Sequence, residues 1–213
     1  MTHMMIAGLL FDVDGVLLDS YAAYRRIWNA WSAMRGLNQE WVWSLTHGRR
    51  PEDTVRDVAP ELDPSTERLI LNKLMEQEGN AAFPPVPGAA DLLSSLDQNQ
   101  WAIVTSGSRA PVHERFKLGG LTLPQVQIYG EDVEHSKPHP EGYLKAAERL
   151  GYEPSRCVVI EDAPNGVRAG KAAGCTVIAI AATHTVEELS EADLSFPDLQ
   201  AATPSILGMI SVI

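Results

Sequence analysis

The residues best equipped for chemistry fall into four short groups, each at the end of an apolar run. Asp12-Val13-Asp14-Gly15 leads to Asp19, and its two carboxylates two residues apart enter one pocket if the loop curls. Asp and Gly are equally what an ordinary turn uses. Thr105-Ser106-Gly107-Ser108 offers hydroxyls and backbone N–H groups at a helix start, the makings of a phosphate cradle or of a plain N-cap. Ser136-Lys137-Pro138-His139-Pro140 holds a lysine at a helix entrance. Glu161-Asp162 follows Val158-Val159-Ile160, and adjacent acids past a buried strand are costly unless a cation lies nearby. Taken singly, each group has an ordinary structural explanation. Their order, Asp-x-Asp, Thr/Ser, Lys, Glu-Asp, is a coherent set for phosphoryl transfer with Mg²⁺.

Parallel strands are needed to bring these groups together. The pattern predicts a strand over 6–11 and then an alternation: helix 89–96, strand 101–105, helix 111–118, strand 126–129, helix 140–150, strand 157–160, helix 166–173 and strand 176–180. Such units imply a parallel sheet with helices on both faces and ligands at the carboxyl ends of strands. Between about 20 and 80 the spacing turns helical, with Ile27, Trp31 and Met34, then Leu69, Ile70, Lys73 and Leu74. Ser20 reads as an N-cap, and Pro51-Glu52-Asp53 and Pro64-Ser65-Thr66-Glu67 as helix starts. Pro84-Pro85-Val86-Pro87-Gly88 reads as a stiff connector. The expectation is an α/β chain, with 1–18 and 84–213 forming a Rossmann-like parallel-sheet core and 19–83 an inserted α-helical cap. Beyond Thr183 no usable motif is legible.

Composition narrows the class. The chain has 213 residues, 45% hydrophobic and 21% charged, which suits a folded domain with one insertion and excludes wholesale disorder. Seventeen Lys and Arg against 28 Asp and Glu leave a net charge of −11, which argues against a nucleic-acid partner. Cys157 and Cys175 are too few and too far apart for a zinc site or disulfide framework, and read as reduced cysteines in the cytoplasm. No uninterrupted apolar stretch of about 18 residues is present, and no secretory signal is visible, so no membrane partner is expected.

With these motifs in this order, the chain resembles the haloacid dehalogenase superfamily, in the phosphatase branch with a helical cap after the first motif. The resemblance covers about 6–180. It implies Asp12 as nucleophile, Asp14 as general acid and base, and Thr105 with the N–H groups of Ser106 and Gly107 as phosphoryl ligands. It further implies Lys137 as charge neutraliser, and Mg²⁺ held by Asp12, the Asp14 carbonyl and Asp162. Glu161 follows as a supporting residue, or as a metal ligand in some states. In the insertion, His47-Gly48-Arg49-Arg50 resembles the substrate loop of sugar and polyol phosphatases, an exposed basic turn being the alternative. Tyr24, Trp28 and Trp31 share a helix face, with core packing the expected role of at least one Trp. His113, His139 and His184 are assigned nothing.

The resemblance thus implies a Mg²⁺-dependent hydrolase for a small phosphorylated metabolite, a sugar or polyol phosphate, working through an aspartyl-phosphate as a monomer or weak dimer. A hexose-phosphate mutase of the same family is the alternative. Such mutases carry a histidine early in the first cap helix and Lys-Asn after the second motif, where this chain has Tyr24 and Ser108-Arg109. A dehalogenase needs neither Asp14 nor a cation site. A phospho-accepting signalling domain, from another class, keeps its acids on separate strands and lacks an insertion.

Overall fold

The computed structural model describes residues 6–210, so 1–5 and 211–213 of the expected core lie outside the described residues. Its centre is a parallel sheet built from β1 (Gly8–Phe11), β2 (Trp101–Val104), β3 (Val126–Ile128), β4 (Cys157–Glu161), β5 (Thr176–Ile180) and β6 (Leu194–Phe196). The strand order is β3-β2-β1-β4-β5-β6. The chain runs outward from β1 through β2 to β3, then returns to β1's other side for β4. The switch between β2 and β4 opens a crevice at the carboxyl end of β1, where ligands of such sheets bind. Phe11 is level with Ile103 on one side and Ile160 on the other, so the residues just beyond them face one another.

Alternation along the strands builds two apolar layers. Leu9, Phe11, Ile103, Val158 and Ile160 face α5 (Ala89–Ser94), α6 (Arg109–Leu118) and α9 (Leu199–Ile210). Leu10, Ala102, Val104, Val159 and Val177 face α7 (Glu141–Leu150) and α8 (Pro164–Ala172). Strands buried on both faces explain the unbroken apolar runs in the sequence.

Between β1 and α5 come α1 (Tyr21–Arg35), α2 (Gln39–Ser44), α3 (Pro51–Val58) and α4 (Pro64–Glu78). They close over their own apolar cluster, which includes Ile27, Trp28, Trp31, Val42, Val55, Leu71 and Phe83. Inside it Glu67 is buried yet satisfied, accepting from Trp31 Nε1 at 2.8 Å and from two Arg35 nitrogens. Pro51 and Pro64 begin helices as expected, the latter capped by Asp63 accepting from Thr66 N. The two chain crossings into and out of this insertion pair with each other. Asp19 N donates to Pro84 O, Val86 N donates to Leu17 O, and Leu18 and Pro85 form an antiparallel bridge. The proline connector is therefore one half of a two-stranded tie.

Several local expectations are corrected. Ser20 precedes α1 but makes no side-chain cap bond; it is buried, with its hydroxyl facing Asp14. Met34 and Leu69 are 57% and 62% exposed, because the packed stripe of α4 runs through Glu67, Ile70, Leu71 and Leu74, and Met34 lies past the cluster near the end of α1. β6 and α9 were not legible: β6 is a short, largely exposed edge strand, and α9 has Pro204 inside it.

Candidate active site

The first loop begins where β1 ends. Asp12 N still bonds to Ile160 O, and Gly15, with φ of +84°, then turns the chain back on itself. A Cβ at Gly15 would fall 2.0 Å from Asp162 Oδ2, so this approach requires glycine. Asp12 is 6% exposed, and its Oδ1 accepts from Lys137 Nζ at 2.6 Å. Burial raises its pKa to about 7, Lys137 opposing the rise and the Glu161 and Asp14 charges adding to it. Lys137 is held from three sides, by Asp12, by Val104 O at 3.1 Å and by Glu161 Oε1 at 2.6 Å. Its two carboxylate partners outweigh desolvation and keep it protonated.

Glu161 is fully buried and its oxygens are spent within the protein. Oε1 accepts from Lys137 and from the Tyr143 hydroxyl at 2.9 Å, while Oε2 accepts from the N–H groups of Asp162 and Ala163. With these partners the side chain positions Lys137 and the turn carrying Asp162. Asp162 points back toward Gly15 and accepts from the Thr183 hydroxyl. Burial, with the charges of Glu161 and Asp12, pushes its carboxyl well above the ordinary carboxylate range.

Asp12, Glu161 and Asp162 present oxygens within 4.8 Å of one another. The repulsion among them and the space left by Gly15 fit a hard divalent cation with oxygen ligands, with Asp12 and Asp162 as its carboxylates. A surface trio, His135, His139 and Glu141, is equally close. There Glu141 already accepts from two backbone N–H groups and Lys145, and the start of α7 disfavours a cation.

Thr105 is buried beside Asp12, its Oγ1 accepting from Gly107 N at 2.9 Å. The Ser106 hydroxyl instead donates to Gly48 O in the insertion, at 2.8 Å. Asp14 is half-buried, and its Oδ1, out of reach of solvent, has no hydrogen-bond partner among the described residues. Burial raises its pKa, opposed first by Arg115 and then by the hydroxyl of Ser20.

The insertion roofs these groups and leaves a cavity of about 120 Å³. Tyr24, Trp28, His47, Gly48 and Arg49 all line it. His47 packs against Trp43, Tyr21 and His184; burial and the neighbouring His184 lower its pKa to about 4. Arg49 pairs with Asp57 at 2.7 Å at the cavity's edge. Arg50 is the exception. Its guanidinium donates to Val133 O, Glu134 O and Asp53, and Asp53 also accepts from Ser136, so Arg50 ties insertion to core outside the cavity.

Sequence reasoning passed over Arg68, Arg115, Thr183 and His184. Arg68 crosses from α4 to Ser108 Oγ at 2.5 Å, and Arg115 is 3% exposed on α6. A helical arginine carries no signal of burial in the sequence, and Thr183 and His184 follow β5 without a motif.

Comparison with known proteins agrees with this fold. A family model described as haloacid dehalogenase-like hydrolase matches residues 6–174. Hexitol phosphatase A of Escherichia coli (strain K12) is 42% identical over 211 residues, covering 94% of both chains. Glycerol-1-phosphate phosphohydrolase 2 of Saccharomyces cerevisiae is 36% identical over 203 residues, covering 88% of this chain and 80% of its own. Among solved structures, a HAD family hydrolase from Deinococcus radiodurans R1 with bound phosphate and sodium superposes with a TM-score of 0.73, at 26% identity and 97% coverage of both chains. The chain belongs to the haloacid dehalogenase-like hydrolase family.

Proposed function

We propose that the protein is a Mg²⁺-dependent phosphatase of small sugar or polyol phosphates, acting through a phosphoryl group carried on Asp12. The observation that carries this is the meeting of Asp12, Lys137, Thr105 and Asp162 at the sheet's switch point, with Asp14 open to the same roofed cavity. The names of the relatives, hexitol and glycerol phosphate phosphatases, support the substrate class.

An Asp12 carboxylate oxygen attacks phosphorus in line as the ester P–O bond breaks, giving an aspartyl-phosphate and an alcohol. Asp14 gives its proton to the departing oxygen, then takes one from the water that attacks phosphorus and frees Asp12 and orthophosphate. Thr105 and the N–H groups opening α6 hold the phosphoryl oxygens, and Lys137 neutralises charge on the Asp12–phosphoryl pair. Asp12, Asp162 and the Asp14 carbonyl would hold Mg²⁺, which when bound offsets the repulsion between carboxylate and phosphate. The insertion acts as a cap that excludes water and selects the alcohol, through Tyr24, Trp28, His47 and Arg49.

The residues that depart from the mutase pattern favour hydrolysis. Tyr24 lines the cavity where mutases carry histidine, and Arg109 turns away to pair with Asp132 over the Tyr129 ring. A phosphate-release screen over sugar, polyol and aryl phosphates, with Mg²⁺ or with chelator, tests the proposal. Mg²⁺-dependent release, fastest with small polyol or sugar esters, is expected; interconversion of hexose phosphates without release would make it a mutase.

A further inference from the structure

Thr183 takes no part in the chemistry above, yet the topology of the sheet sends it past the cation site. β5 runs beside β4 with Ala179 level with Glu161, so the segment leaving β5 passes Asp162. The Thr183 hydroxyl carries a single proton. It donates that proton to Asp162 Oδ2, and the Asp162 backbone carbonyl oxygen lies 3.2 Å from the same Oγ1. His184 Nδ1 is 2.9 Å from Oγ1. With the hydroxyl proton committed to Asp162, Oγ1 accepts from His184, and Nδ1 is the ring nitrogen that carries hydrogen.

The other face of this chain of contacts meets the insertion. The His184 ring stands edge-to-face with the His47 ring, their centroids 4.5 Å apart. The His47 carbonyl accepts from Asn165 Nδ2 at 2.9 Å, and a Cβ on Gly48 would lie 3.5 Å from the Cβ of Ala163. The 47–48 loop of the insertion thus rests on the 162–165 turn.

Asp162 needs such a hold. It is 6% exposed, with oxygens of Asp12 and Glu161 within 4.8 Å, and like charges that close press a carboxylate to turn away. On its Gly15 side there is no side chain to stop it. A carboxylate that serves as a ligand must keep one rotation, and hydrogen bonds from residues behind it are what fix that rotation.

We propose that Thr183 is a positioning residue for the cation site: its hydroxyl fixes the Asp162 carboxylate, and His184, backed by His47 of the insertion, fixes the hydroxyl. This rests on the reading of Asp12 and Asp162 as carboxylate ligands of Mg²⁺.

The test is Mg²⁺ binding to the whole protein, measured by titration calorimetry on cation-free protein without substrate. It is paired with the Mg²⁺ concentration that gives half-maximal phosphate release from glycerol phosphate. Thr183→Val keeps the shape and removes the hydroxyl. It should raise both values about tenfold or more, the scale of losing a partner that orients a ligand, with KM at saturating Mg²⁺ little changed. Thr183→Ser, which keeps the hydroxyl, should bind Mg²⁺ as the wild type does. His184→Phe keeps a ring against His47 but loses Nδ1, and should weaken binding less than Thr183→Val. The double variant should be no weaker than Thr183→Val alone, since the ring acts through the hydroxyl. Asp162→Ala separates the two readings. If it binds Mg²⁺ as tightly as the wild type, Asp162 is not a ligand and both readings fall. If it loses binding while Thr183→Val keeps wild-type affinity, or if Thr183→Ser is as weak as Thr183→Val, the positioning role is overturned and the metal site stands.

Discussion

Gly166, in the first turn of α8, lies so close to Glu161 that a Cβ there would sit 1.6 Å from Oε1 and 1.9 Å from Cδ. The helix must be bare at that point for the Glu161 carboxylate to reach Lys137, Tyr143 and the Asp162 turn together.

Gly166→Ala should therefore displace Glu161 rather than merely crowd it. Overpacking costs about 1–3 kcal/mol, and Lys137 loses one of its carboxylates. We expect a lower urea midpoint together with a fall in kcat of about a hundredfold, the scale of a misplaced catalytic group. Wild-type kcat in a folded Gly166→Ala protein would show that Glu161 does not position Lys137.

Asp12, Asp14 and Asp162 are all held above the ordinary carboxylate range, first by burial. A group with a raised folded pKa stabilises the fold at low pH and loses that contribution as pH rises through the folded value. Without a cation, Asp12 should weaken the protein as pH climbs from about 4 to about 7, the loss being complete above its folded value. Mg²⁺ should raise the melting temperature most above that pH, by the mass action of a ligand that binds only the folded state. Asp162→Ala should abolish the Mg²⁺-induced shift, as read by calorimetry. An undiminished shift in that variant would place the cation elsewhere.

Arg49 and Arg50 are neighbours with different duties. Arg49→Ala should lower kcat/KM more for a polyol phosphate than for an aryl phosphate, since Arg49 borders the cavity. Arg50→Ala should weaken both substrates alike, because it loosens the tie between insertion and core through Val133, Glu134 and Asp53. Parallel kinetics on the two esters distinguish these outcomes. Selective loss in Arg50→Ala would return it to the substrate loop.

His47 supplies a pH signature of opposite sign to the carboxylates. Its pKa of about 4 lies below the ordinary histidine value of 6.5, so between those values the unfolded chain binds more protons and stability falls as pH drops. Burial is the main cause, followed by the neighbouring His184. Relative to wild type, His47→Phe should lose less stability between about pH 7 and about pH 5. The difference should be on the order of 1 kcal/mol after allowance for partial exposure. Parallel urea melts at the two pH values give it; identical losses would mean that His47 does not carry the effect.

Much of the fold was legible because parallel strands buried on both faces, such as Cys157–Glu161 and Thr176–Ile180, read as unbroken apolar runs. The chemical groups were legible for a related reason: each follows such a strand, so topology alone gathers Asp12, Thr105 and Glu161-Asp162. Other features depend on packing that the sequence does not display. Arg115 and Arg68 look like any helical cations until α6 and α4 are brought over the crevice. The partners of Glu161, the Tyr143 hydroxyl and two N–H groups, come into view only when α7 packs on β4. The stripe Leu199, Ala202, Ile206 and Ile210 was hidden by Pro204 within it.

The central claim, hydrolysis through Asp12, is tested most directly by phosphate release from glycerol and hexitol phosphates, comparing wild type with Asp12→Asn in Mg²⁺. Asp12 is held by Lys137 at 2.6 Å, and its exchange for the isosteric amide leaves the fold intact while removing the attacking oxyanion. The account predicts steady release by the wild type, arrest on chelation with recovery when Mg²⁺ is restored, and no release above background by Asp12→Asn. Wild-type-like turnover by Asp12→Asn, with the amide verified by mass spectrometry, would contradict it.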